Sequence, residues 1–170
     1  PIAAQVEQGD GADASEAGAV TLNGPGSAIT LLDLRSDGAV LFANTGGGLT
    51  VRQATGTSVA IDASGRAVAI QAVAAGGHGI AAGGDISLRA ASVSLGAGIT
   101  AGDGQTLSLQ TASISGTGTL SAGNGTIAIG PVSSGSALTI GGSGIATSVI
   151  SAAQADRLVI GASSFNGEAA

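Results

Sequence analysis

His78 is the single histidine of a 170-residue chain that has no Cys, Met, Trp or Tyr. It sits between Gly76-Gly77 and Gly79, and the nearest carboxylate along the chain is Asp85. A metal centre or a general base needs partners that a lone imidazole among glycines lacks. The expectation for His78 is therefore an exposed turn residue. The other chemistry-bearing side chains are carboxylates: Asp33 and Asp37, Asp62, Asp85 and Asp103. Paired carboxylates can cleave glycosidic bonds, and Asp85 and Asp103 are one candidate pair. Sugar cleavage also needs a basic partner and an aromatic platform, yet the chain has no Lys and its only aromatics are Phe42 and Phe165. The reading is non-enzymatic, with no catalytic and no cofactor-binding residue assigned and no cofactor required.

Calcium is the remaining ionic chemistry to weigh. Gly83-Gly84-Asp85-Ile86 and Gly102-Asp103-Gly104 resemble fragments of the nonapeptide repeat of calcium β-rolls. That repeat must run in tandem, and here most turns have no Asp. Asp85 and Asp103 are expected to accept backbone N–H bonds in turns, and no metal ligand is assigned. Thr57, Thr100, Thr117, Thr119 and Thr139 do not recur at one spacing, as an ice-binding face would require. Asn124-Gly125-Thr126 matches a glycosylation sequon that a glycine-flanked turn explains equally well.

The elements that must carry these residues follow from the apolar pattern. Hydrophobic residues make up 44% of the chain and charged residues 9%, which excludes a disordered polyelectrolyte. Alternating aliphatic pairs recur throughout, among them Ile29/Leu31, Leu49/Val51, Val59/Ile61, Ile86/Leu88, Leu107/Leu109 and Ile127/Ile129. One small or polar residue between two aliphatics is the period of a half-buried strand. Gly, Ser, Asn or Asp separates the pairs, as turns demand.

The pairs order into series about 20 residues apart. One runs Ile29, Leu49, Val68, Ile86, Leu107, Ile127, Ile145; another runs Val20, Val40, Val59, Ile80, Ile99, Leu120, Leu138, Leu158. A third, Val73, Val93, Ile114, Val132, Ile150, falls between them. This cadence predicts an all-β, right-handed parallel β-helix of about seven coils, each strand pairing with its equivalent one coil above and below. A β-sandwich would favour more hairpin turns and leaves the 20-residue period unexplained. Within the helix, Ile86, Leu107 and Ile127 should share an inward column while Ser108 faces out.

Charge divides the chain. The net charge is −6, and Glu7, Asp10, Asp13 and Glu16 fall in the first 18 residues without a basic partner. Residues 1–18 read as an acidic linker or end cover and 19–170 as the β-helix repeat domain, an excerpt of a much longer chain. No basic stripe exists for nucleic acid, and no apolar run reaches the roughly 18 residues of a membrane span.

The stretch GGHGIAAGGDISLRAASVSLGAGITAGDGQTLSLQTASISGTGTLSAGNGTIAIG (76–130) resembles the repeat region of filamentous haemagglutinin-like exoproteins of two-partner secretion. VISAAQADRLVIGASSFNGE (149–168) is similar to a phrase that recurs between repeats in that family. Members begin with a secretion domain bearing Asn-Pro motifs; this chain has no Asn-Pro, so the likeness is to the central shaft. The resemblance implies export through an outer-membrane secretion pore of a Gram-negative bacterium and a secreted, cell-surface location. The function it implies is that of a stiff adhesin shaft, and the alternative is a module whose polar face contacts surface glycan or protein directly.

Overall fold

The computed structural model describes residues 2–3, 12–16, 20–23, 28–44, 46–71, 78–165 and 168–169. The fold is all-β, with parallel strands stacked as a β-solenoid. The sole helix among the described residues, Thr147–Ser151, is five residues long.

Three strand ladders form the walls, each built from the short alternating pairs. On the first face Val40–Ala43 pairs with Val59–Asp62, whose strand pairs with Ile86–Ala90. Ile86 then pairs with Leu107 and Leu107 with Ile127. The second face stacks Ile29, Leu49, Val68, Val93 and Ile114. The third stacks Leu34, Ala54, Ile80, Ile99 and Leu120. From Val40 to Ile127 the first face advances four rungs, about four turns of solenoid. Further parallel pairs extend this ladder at both ends, Ile2 and Val20 below and Leu158 above, but a count of about seven coils is not established by them.

Each wall turns its alternate residues inward, and side chains from successive coils stack into dry columns. Val59, Ile61, Ile86, Leu88, Leu107, Leu109, Ile127 and Ile129 are each no more than 1% exposed. Aliphatic side chains in contact with their equivalents above and below give a continuous core without aromatic fill. Among the described residues Phe42 is the one aromatic in these columns, buried on the rung next to Ile61.

The columns regroup the expected series. The step from Val59 to its partner Ile86 is 27 residues, against 19 from Val40 to Val59. The extra length falls between Ile70 and His78, where residues 72–77 are outside the described set. Val68 consequently stacks on Val93, not Ile86, and Ile80 stacks on Ala54, not Val59. Leu138 packs against the core without a strand, and Leu158 follows Ile127 directly. Ile145 bridges to Ile114 on the second face rather than following Ile127. Val73 of the third series lies outside the described residues. The column Ile86–Leu107–Ile127 is as expected.

Within the acidic first 18 residues, Ile2–Ala3 and Ala12–Glu16 are strands, the latter parallel to Ile29–Ser36. At the other end the strand Gln154–Ile160 closes the described stack on the first face. Ser164–Phe165 and Glu168–Ala169 then form a short antiparallel pair, of which Ser164–Phe165 lies against the strands Ile86–Leu95 and Thr106–Gln110.

Candidate functional site

The carboxylates are not brought together. Asp85 stands just before the first-face strand of its coil, and its Oδ1 accepts the backbone N–H of Thr106 one coil above at 2.7 Å. Asp103 lies in the turn leading into the next first-face strand. Its Oδ1 accepts the Asn124 backbone N–H at 2.8 Å and its Oδ2 accepts Asn124 Nδ2–H at 3.0 Å. Each carboxylate thus caps the turn above, as expected of turn Asp residues. The sequon residue Asn124 is spent in that cap. Asp37 is exposed, and the side chain of Asp33 is outside the described set. No three His, Asp or Glu side chains gather into a metal-binding group among the described residues.

His78 opens the third-face strand His78–Ala82, its backbone aligned with Gly98. This corrects the expectation of a turn residue: the apolar run Gly79–Ala82 extends far enough to recruit it into the ladder.

A polar column that the sequence reading missed runs up the outside of the first face. Asp62 is aligned with Arg89, Arg89 with Gln110, and Gln110 with Gly130. Asp62 Oδ1 accepts the Ser64 backbone N–H at 3.0 Å and also the Ser64 hydroxyl. Its Oδ2 faces the Arg89 guanidinium at 3.8 Å. Arg89 Nε–H donates to Gln110 Oε1 at 2.6 Å. The Arg89 guanidinium carbon lies 4.5 Å from the centroid of the Phe165 ring, within cation–π range. Charge, amide and ring are so stacked on three successive coils and roofed by the C-terminal segment.

That roof explains a second departure from the expected pattern. Ser108, Gln110 and Thr111 are 3%, 1% and 0% exposed, although alternation sends Ser108 and Gln110 outward. Ser164–Phe165 covers this side of the strand, and 107–110 are buried on both faces while Thr106 is half-buried. Among the described residues, Gln110 Nε2 and Ser163 Oγ are buried without a hydrogen-bond partner.

The outside of the second face is different in kind. Thr30, Thr50, Ala69, Ser94 and Ser115 are aligned rung by rung and line a shallow groove of about 370 Å³. Its walls have hydroxyls and methyls but no charge and no ring. Such a surface offers hydrogen bonds to a neutral polar chain. Thr30 and Thr50 stack as neighbours, but the Thr column stops there, short of an ice-binding array. No described helix is long and apolar enough to cross a membrane. No protein-family model, curated protein or solved structure matches the chain, so its function has to be read from the geometry of the solenoid itself.

Proposed function

We propose that the chain is a non-catalytic structural shaft, a stiff spacer from a secreted adhesin-type exoprotein that holds a binding tip away from a bacterial surface. The observation that carries this reading is where the polar side chains are used. Asp85, Asp103, Arg89 and Gln110 each bond to the neighbouring coil, so they couple turns rather than converge on a substrate. Stacked coils at about 4.8 Å each, locked by aliphatic columns, give a rod that resists bending and proteolysis. The likeness of 76–130 and 149–168 to filamentous haemagglutinin repeats supports a right-handed β-helix, export through an outer-membrane pore, and a surface location. The pairings of Ile2 with Val20 and of Ile127 with Leu158 support a longer stack, of about seven coils.

The groove over Thr30, Thr50 and Ser94 favours a second reading, a module that binds neutral glycan or protein directly. The two separate on a glycan array and a panel of surface proteins probed with the purified chain. A shaft binds nothing above background. Binding that Ser94→Tyr abolishes by filling the groove establishes the module instead.

A further inference from the structure

The C-terminal segment is attached to the solenoid differently from every strand beneath it. It leaves the last first-face strand at Gly161, whose φ of +100° is a left-handed conformation that a side chain strains. From there it runs down the outside of the stack, across coils rather than along one. It passes Gly130 so closely that a Cβ there would meet Ser163 Oγ at 2.5 Å and Ser163 N at 2.7 Å. It seats Phe165, 8% exposed, on Arg89 two rungs lower, where Ser164–Phe165 pairs with Glu168–Ala169.

Ser163 Oγ occupies the place that a side chain of residue 130 would take, directly above Gln110 in the polar column. Gln110 spends its carbonyl oxygen on Arg89, and its amide nitrogen is buried without a hydrogen-bond partner. Ser163 Oγ is likewise buried without a partner, so the segment and the coil beneath it each hold one unsatisfied polar atom. Buried polar groups without partners favour any state in which water reaches them. Opposing this among the described residues is chiefly the buried Phe165 ring, seated on Arg89 and on the strands beneath it, whereas the columns below hold two aliphatic side chains per rung. Segments with few apolar contacts and unsatisfied polar groups open first.

We propose that residues 161–165 are a releasable strap, hinged at Gly161, that lifts from the first face while the solenoid stays folded. Release hydrates Gln110 Nε2 and Ser163 Oγ and uncovers Ser108 and the face of the Arg89 guanidinium. The strap is therefore a cover that alternates between closed and open, and the polar column beneath it is the surface it controls.

Amide hydrogen exchange on the intact chain tests this, with the strap (162–165) read against Leu107 and Leu109. In the unaltered protein the strap amides exchange at least tenfold faster than the two column residues. Gly130→Ala pushes a methyl into Ser163 and accelerates strap exchange a further tenfold, leaving Leu107 and Leu109 within twofold. Phe165→Ala reaches the same result without altering any coil, and also speeds phenylglyoxal modification of Arg89. Strap amides that exchange at the rate of Leu107, or that do not respond to Phe165→Ala, overturn the proposal.

Discussion

Asp103 accepts two hydrogen bonds from Asn124, residues that occupy successive turns of the solenoid. One carboxylate satisfies both the backbone and the side-chain N–H of the residue above it, so a surface turn is fastened to its neighbour. Asp103→Ala removes both acceptors and is expected to lower stability by about 1 kcal/mol. Asp103→Asn keeps one acceptor and should lose less. Urea midpoints of the two variants check the order; an Asp103→Ala protein as stable as the unaltered one contradicts the assignment.

The interior columns set a larger scale. Leu107 is fully buried between Ile86 and Ile127, so Leu107→Ala should cost roughly 2–5 kcal/mol. Ser94, exposed on the second face, should change stability by less than about 0.5 kcal/mol when replaced by Ala. Ser108, expected to face out, is buried and so is not a neutral position for this comparison. One denaturant titration of the three proteins separates column from surface.

Metal chelation is expected to leave the melting temperature unchanged within a few degrees. Asp85 and Asp103 are engaged with backbone and amide N–H groups in separate turns, and a structural cation would have to displace those bonds. A chelator-induced drop beyond a few degrees would reveal an ion that stabilises the native state by mass action.

The alternating pairs made the fold class legible in the sequence, since period two with glycine-rich breaks admits few other readings. They also made the local column Ile86–Leu107–Ile127 legible, because consecutive coils there keep nearly equal length. The register across residues 71–77 was not legible. All three faces present the same Val, Ile and Leu pairs at similar spacing, so an insertion of about one strand length shifts one series onto another. Only hydrogen-bonded pairing distinguishes Val68 over Val93 from Val68 over Ile86. The column of Asp62, Arg89 and Gln110 was hidden for the same reason: its step from Asp62 to Arg89 straddles that insertion, and its three residue types share no pattern. Nothing local to Phe165 announces that its ring returns to Arg89.

The account stands or falls on that register, and engineered disulfides read it directly. The chain has no natural cysteine, so a double variant has one pairing available. Ala60 and Ser87 are aligned neighbours on the first face, within the Cα separation that a disulfide spans. Ala69, which an unbroken 20-residue period would place beside Ser87, is aligned with Ser94 instead. Ala60→Cys/Ser87→Cys should oxidise to an intramolecular disulfide in the folded protein, whereas Ala69→Cys/Ser87→Cys should retain two free thiols under the same conditions. Cross-linking of Ala69→Cys/Ser87→Cys with free thiols in Ala60→Cys/Ser87→Cys would contradict the stacking described here.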